Sequence, residues 1–243
     1  MKVSIILPAY KEAENLKKIL PNIHEILQQT TITYEILVID TMNALDNTED
    51  ICLSNNALCI RRENGNLYGD AIRTGFMKAR GEFIVVMDAD GSHNPKDIIR
   101  FYNEMLNGNY SLIIGSRYCS GGYTDNNFIL RLMSHVLNIT YRILFGLKVK
   151  DVSDSYRMYK AKTLENLTLD CDNFDIVEEI LIKLSLTTDA FTVKEIPIVF
   201  SKRDEGESKR DLIKFIRSYF KTISKLMRIK HSCKHNSHIN TKS

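Results

Sequence analysis

Apolar, β-rich runs recur through the first half of the chain, at residues 3–7, 35–39, 58–61, 83–87 and 112–115. Helical patterns fill the gaps between them, at residues 12–29, 69–80 and 95–106. Strands joined through helices with short connections run parallel, so this alternation predicts an α/β domain with a mostly parallel central sheet flanked by helices. Such sheets bind ligands at the carboxyl ends of their strands. The alternation then lapses. A long apolar helix is expected over residues 127–145, a further helix near 174–184 and a strand near 191–200. Residues 210–230 read as one basic amphipathic helix, and the last dozen residues as an unstructured tail. The chain therefore divides into a domain over 1–209 and an appendage over 210–243.

A chain of 243 residues can bury a sizeable core. Its net charge of +3 is too small to point to nucleic acid. Five cysteines, Cys52, Cys59, Cys119, Cys171 and Cys233, are scattered without a C-x-x-C pair. That pattern suits a reducing cytosol, with neither a disulfide framework nor a structural zinc site. The first strand starts almost at once, so no secretory leader is expected. The longest apolar stretch, residues 128–147, is interrupted by Arg131, His135 and Arg142 and makes a poor membrane span.

Chemistry is expected where the strands end. The run FIVVM is followed by DADGSHNP, which places Asp88 and Asp90 one residue apart. If the extended backbone persists, residues i and i+2 point the same way and the two carboxylates converge. Two hard oxygen donors suit Mg²⁺ or Mn²⁺, which also bind phosphates. Either Asp can instead cap a turn. The first strand runs into Pro8-Ala9-Tyr10-Lys11-Glu12 and the second into Asp40, so three of the first four strands end on acidic or aromatic-acidic groups. That coincidence favours a nucleotide site.

With these residues in view, the chain resembles the family 2 glycosyltransferases of the GT-A fold, particularly the dolichyl-phosphate mannose synthase branch. KVSIILPAYKEAENL, residues 2–16, is similar to the opening nucleotide-binding segment of that family. NLYGDAIRTGFMKARGEFIVVMDADGSHNP, residues 66–95, matches its G-x-A-x-x-x-G helix and D-x-D strand. Ile114-Gly115-Ser116-Arg117-Tyr118 matches its G-S-R-Y signature, and Arg203-x-x-Gly206-x-Ser208-Lys209 its late loop. The resemblance implies that Pro8, Tyr10, Glu12, Val38 and Asp40 bind the nucleotide, and that Asp88, Ala89 and Asp90 meet the metal and diphosphate. It implies that Arg117, Arg131 and Arg203, with Lys209, hold phosphates of donor or lipid acceptor, as the planar guanidinium fork suits. Arg203 and Lys209 are placed on the donor side, Arg131 and Ser134 on the lipid phosphate, and Arg117 at the reacting centre. Glu179 aligns with an acidic residue of a late helix.

Three departures stand out. The paired Asp after the second strand is replaced by Asp40-Thr41-Met42-Asn43-Ala44-Leu45-Asp46, with one extra residue. The Gln two residues after D-x-D is Ser92, whose hydroxyl would need a water to reach the same ion. The D-P-x-S-G-F segment reads Asp151-Val152-Ser153-Asp154-Ser155-Tyr156, losing a glycine.

The resemblance implies inverting transfer of mannose or glucose from GDP- or UDP-hexose to a polyprenyl or dolichyl phosphate, at the cytoplasmic face of a membrane. The acceptor phosphate is already anionic, so no strong general base is required. The helix over 127–145 carries a polar stripe through Arg131, Ser134/His135, Asn138 and Arg142, which can receive that phosphate or merely be a wet face. On the C-terminal helix, Leu212, Ile216, Tyr219, Ile223 and Leu226 oppose Lys214, Arg217, Lys221, Lys225 and Arg228. Such a helix can lie peripherally on an anionic membrane or dock on the domain. Two other readings remain open at this point: transfer to a glycan acceptor, and a non-catalytic nucleotide-sugar binding module.

Overall fold

The computed structural model describes residues 1–188, 190–202 and 212–240, with side chains of the last segment described over 218–232. In chain order the elements are β1 (Val3–Pro8), α1 (Ala13–Gln28), β2 (Tyr34–Asp40), α2 (Thr48–Ser54), β3 (Leu58–Arg61), α3 (Tyr68–Lys78), β4 (Phe83–Val86) and α4 (Asp97–Gly108). There follow β5 (Leu112–Ser116), β6 (Tyr123–Thr124), α5 (Phe128–Phe145), β7 (Arg157–Lys160), α6 (Ile176–Thr187), β8 (Val193–Pro197), β9 (Val199–Phe200) and α7 (Leu212–Asn240).

A seven-stranded sheet has the order β3-β2-β1-β4-β7-β5-β8. All its pairings are parallel except those of β7, which runs antiparallel between β4 and β5. The fully buried runs of β1, β2 and β4 explain this arrangement, because helices cover both faces of the sheet. One core lies under α1, α2 and α4, and the other under α3, α5, α6 and α7. The order reverses beside β1, so the carboxyl ends of β1, β2 and β4 open onto one crevice. β7 was not expected as a strand: it follows the irregular segment 151–156 and contains the fully buried Arg157. That guanidinium is satisfied by three carbonyls, of Asp154, Val152 and Val177, at 2.7–2.8 Å.

α3 approaches its neighbours closely. A Cβ at Gly75 would lie 2.7 Å from Ile6 of β1, and one at Gly69 would lie 2.2 Å from the Cys171 carbonyl. The G-x-A-x-x-x-G spacing of this helix is thus a packing requirement.

α7 departs from expectation in its length, and its described part follows the docked one of the two readings. It extends past Lys230 to Asn240, consistent with the absence of Gly and Pro from its sequence. Its apolar stripe is also used inside the protein: Tyr219 and Leu226 are buried against α6 and α5, whereas Phe220 is exposed. Polar groups fasten the seam. Ser218 and Thr222 donate to Asp175, Tyr219 donates to Glu178, and Lys225 pairs with Asp170.

Burial pushes the Glu178 carboxyl up to about 8, with Arg157 opposing the shift and Asp175 adding to it. An unfolded glutamate loses its proton near its ordinary value of 4.5, while the folded one keeps it until about 8. Between those values unfolding releases a proton, so this group's stabilising contribution is full below about 4.5 and is lost as pH rises towards 8. Glu178→Gln should remove that slope. Calorimetric Tm values at pH 5 and pH 8 are expected to diverge more for the wild type than for the variant; equal divergence would refute the assignment.

Candidate active site

The β1 and β2 ends form one wall. Pro8 closes β1 opposite Ile39, and Lys11 takes a left-handed conformation at φ 58° before α1. Tyr10 is exposed, and Glu12 accepts the Asn15 side-chain amide at 2.7 Å. Val38 packs inside the core beneath this wall, so its side chain supports the site from below. Asp40 is buried; it accepts the Thr41 N–H at 2.7 Å and pairs with Arg61, its register partner on β3. Arg61 also reaches Glu49 at 2.6 Å.

Two contributors here escaped the sequence reading. Arg62 is 4% exposed and donates to the carbonyls of Ala9, Ile39, Asn66 and Leu67, tying the strand ends to the turn before α3. A charged residue after an apolar run normally reads as solvated, so only the fold reveals this role. Asp46 accepts the backbone N–H groups of Ala13 and Thr48, each at 3.1 Å. Its carboxylate therefore serves the first turns of both α1 and α2, where negative charge is favoured.

The D-x-D pair stands on a turn and not on the strand as expected. β4 ends at Val86, although the Met87 N–H still reaches Ile6 across the sheet at 3.0 Å. Gly91, at φ 81°, then reverses the chain, a conformation natural to glycine. Asp88 is half-buried and accepts the Tyr68 hydroxyl at 3.4 Å; Tyr68 itself stacks on Phe174. Asp90 is buried beside the buried Ala89 and accepts both the Ser92 N–H, at 3.1 Å, and the Ser92 hydroxyl, at 2.5 Å. Ser92 thus orients Asp90.

The donors at this turn are hard carboxylate oxygens, the type that Mg²⁺ and Mn²⁺ prefer. Among the described residues no group of three or more His, Cys, Asp and Glu side chains could hold an ion alone. The pair therefore fits a cation that completes its shell with phosphate oxygens and water.

A second charged cluster lies at the end of β5. Arg117 is 8% exposed at its side chain and forks onto Asp151, with Nε and Nη2 each at 2.8 Å from an oxygen. Nε also lies 3.0 Å from Asp154 Oδ2, while Nη2 donates to Ser153 Oγ at 2.9 Å and reaches Ser134 Oγ at 3.5 Å. Burial would lower the Arg117 pKa, but Asp151 and Asp154 overcome it and raise it. Burial likewise works to raise Asp154, and Arg117 holds it below the usual carboxylate range.

His93 lies between the two clusters. Its side chain is fully buried; its Nδ1 accepts the Asp88 N–H at 3.1 Å, and its Nε2 lies 3.5 Å from Asp154. Burial pushes the His93 pKa down, whereas Asp154, Asp88 and Asp90 together move it up. A second proton on Nδ1 would confront the Asp88 N–H, so the geometry holds the neutral Nε2–H tautomer.

α5 supplies Ser134 from its inner side, along with buried Asn138, which accepts the Val152 N–H at 3.0 Å. Arg131 is exposed one turn earlier. Of the polar stripe, Ser134 and Asn138 thus face the 151–153 segment while Arg131 and His135 stay exposed, and the outward side is apolar, with Phe128 77% and Ile143 75% exposed. By length and composition α5 could cross a bilayer, yet Asn138, Tyr141 and Phe145 dock it along the domain. Glu179 is fully buried, accepts the N–H groups of Asp170 and Cys171 and pairs with Lys183, a role within the fold. Arg203 and Lys209 lie outside the described residues.

The model of the family described as "Glycosyl transferase family 2" matches residues 4–168. The chain belongs to glycosyl transferase family 2. It is 33% identical over 235 residues to a dolichol-phosphate mannosyltransferase of Pyrococcus furiosus, covering 94% of this chain and 64% of the relative. The chain thus spans less than two thirds of that relative's length. It is 31% identical over 215 residues to a polyprenol monophosphomannose synthase of Mycolicibacterium smegmatis, covering 84% of this chain and 79% of the relative. Glucosyl-3-phosphoglycerate synthase from Mycobacterium tuberculosis, solved with Mn²⁺, UDP and phosphoglyceric acid, superposes with a TM-score of 0.72 over 93% of this chain and 78% of that one, at 16% identity. The same enzyme has been solved with Mg²⁺ and UDP. This likeness establishes the GT-A fold for the family member.

Replacing Arg117 with Leu would leave Asp151 and Asp154 buried without their cation. Breaking such a pair costs about 3–5 kcal/mol. Denaturant unfolding of Arg117→Leu should show a loss of that order; an unchanged midpoint would mean the cluster is not a buried ion pair.

Proposed function

We propose that this family 2 member transfers a hexose, mannose or glucose, from GDP- or UDP-hexose to a polyprenyl or dolichyl phosphate at the cytoplasmic face of a membrane, with inversion at the anomeric carbon. The observation that carries this reading is the joining of an acidic D-x-D turn to an arginine–serine cluster through one buried histidine. The first suits a metal-bound diphosphate and the second an anionic acceptor. The names of both relatives support a polyprenyl-phosphate acceptor, and the Mn²⁺ and UDP bound to the structural neighbour support a divalent ion with a nucleoside diphosphate.

Tyr10, Glu12 and Asp40, with Pro8, would bound the nucleotide above Val38. Asp88 and Asp90, either side of Ala89, would hold Mg²⁺ or Mn²⁺. When bound, that ion would offset the charge that collects on the departing diphosphate. Arg131 and Ser134 would receive the acceptor phosphate beside Arg117, with Arg203 and Lys209 adding positive charge towards the donor. The phosphate oxygen attacks the anomeric carbon as the bond to diphosphate breaks. Its charge makes a general base unnecessary, so rate would derive from alignment and electrostatics.

The membrane contact is assigned chiefly to the outward face of α5. Phe128, Ile129, Leu132, Val136, Ile139 and Ile143 are exposed together along it, and α7 packs alongside with exposed Lys221 and Arg228. Near an anionic surface each basic residue contributes about 1 kcal/mol. Val136→Glu with Ile143→Glu should lower co-sedimentation with anionic vesicles, and raised salt should weaken wild-type binding further. Wild-type binding by the double variant would remove α5 from the contact.

Labelled sugar transfer tests the activity directly. Radioactivity in an organic-extractable lipid supports the reading, whereas aqueous glycan product or donor binding without turnover would overturn it. Asp90→Ala should lose at least about a hundredfold in turnover, the scale of one removed electrostatic contact, while keeping its unfolding midpoint.

A further inference from the structure

His93 touches the donor and acceptor halves of the proposed site without belonging to either. Its ring is locked on all sides: it stacks on Tyr156 with centroids 4.7 Å apart, and the edge of Phe200 packs at 5.2 Å. Phe200 also lies beneath the Arg117 guanidinium, at 5.5 Å. Tyr156 in turn donates its hydroxyl to the Asn94 carbonyl at 2.9 Å, fixing the far side of the same turn. A ring so confined cannot rotate to relieve a strained hydrogen bond. Displacement of the D-x-D turn must be passed on to Asp154, and through it to Arg117.

We infer that His93 is a positioning residue that couples occupancy of the D-x-D turn to the orientation of Arg117, so that donor and acceptor bind cooperatively. The contacts run from the Asp88 backbone N–H to His93 Nδ1, then from His93 Nε2 to Asp154 across 3.5 Å, a charge contact longer than a hydrogen bond, and on to Arg117 Nε, whose Nη2 extends to Ser134. The Asp154 oxygen that faces His93, Oδ1, also accepts the Tyr156 N–H at 2.8 Å, while Oδ2 faces Arg117. The consequence is mutual. If donor binding strengthens acceptor binding by some factor, acceptor must strengthen donor binding by the same factor. This inference rests on the proposed donor and acceptor sites.

The two ring nitrogens can be imitated one at a time. His93→Asn offers an oxygen where Nδ1 accepts from Asp88 but nothing towards Asp154; His93→Gln offers an amide N–H towards Asp154 and leaves the Asp88 N–H bare. Calorimetric titrations would use Mg²⁺ with GDP, Mg²⁺ with UDP, and farnesyl phosphate, each alone and in the presence of the other ligand. His93→Asn should bind Mg²⁺-nucleotide as the wild type does and weaken farnesyl phosphate about tenfold, while His93→Gln should show the reverse split. Both should lose the cooperativity seen in the wild type. A merely structural role would weaken both ligands alike in both variants, together with Tm, and that result would overturn the inference, as would wild-type affinities and cooperativity in both. Should the variants fail to fold, the wild type decides: farnesyl phosphate without metal should shift the His93 imidazole ¹⁵N resonances, and an unmoved signal at saturation refutes the coupling. A wild type that binds neither ligand would instead refute the proposed function, and this inference with it; a wild type that binds both without cooperativity refutes this inference alone.

Discussion

The burial of Arg117 between Asp151 and Asp154 is the constraint on which the second half of the molecule depends. Taking three charges out of water costs several kcal/mol per ion, and only close geometry with further hydrogen bonds recovers it. The surrounding chain supplies that geometry. Glu195 on β8 accepts the N–H groups of Lys150 and Asp151, Asn138 on α5 holds Val152, and the Arg157 guanidinium binds the carbonyls of Val152 and Asp154. An irregular segment between α5 and β7 thereby becomes as fixed as the strands around it. The antiparallel β7 follows directly, because a chain pinned at 151–156 re-enters the sheet from the carboxyl end of β4 and β5.

The half of the fold built from alternating elements was legible in the sequence because β1, β2, β4 and β5 are apolar and largely buried on both faces and the helices between them repeat their apolar residues. Asp88, Asp90 and Asp40 stand out in the sequence as carboxylates that follow apolar runs, although in the fold Asp40 also pairs with Arg61. What the sequence concealed depends on partners distant in the chain. Arg62 and Arg157 look like ordinary surface cations until their carbonyl partners are in place. The Ser92 hydroxyl takes Asp90 as its acceptor, a contact two residues away that the sequence alone does not announce. β4 stops before the pair because Gly91 bends the chain, so the two carboxylates are set by a turn and its hydrogen bonds and not by strand pleat.

The two amphipathic helices show why periodicity alone does not say which way a helix faces. α7 has the stronger pattern of apolar and basic stripes, yet its apolar stripe closes the core over α6, with Leu226 fully buried. α5 has the interrupted pattern, yet it turns polar and aromatic residues inward to meet Ser153 and Val152 and leaves its aliphatic residues outside. A contiguous apolar surface of this kind is unusual on a solitary soluble domain. Placing the polar stripe inward is what sets Ser134 next to Arg117. The same orientation that exposes the apolar face therefore also brings Ser134 to the Arg117–Asp151–Asp154 cluster.

That linkage bears on how an acceptor with a charged head and a long apolar tail would be accommodated. The Arg117–Ser134 cluster and the aliphatic face lie on opposite sides of one helix, separated by the helix diameter of about 10 Å. A phosphate drawn towards Ser134 would leave its chain to pass around the start of α5, where Phe128 and Ile129 are exposed and Arg131 stands a turn away. On this route Arg131 meets the phosphate before Arg117 does, because it is the exposed one of the two cations. Arg117, already committed to Asp151 and Asp154, is suited to steady a charge that arrives and unsuited to attract one from a distance. On the proposed reaction, capture and alignment would thus fall to different residues, the first to the solvated arginine and the second to the buried one.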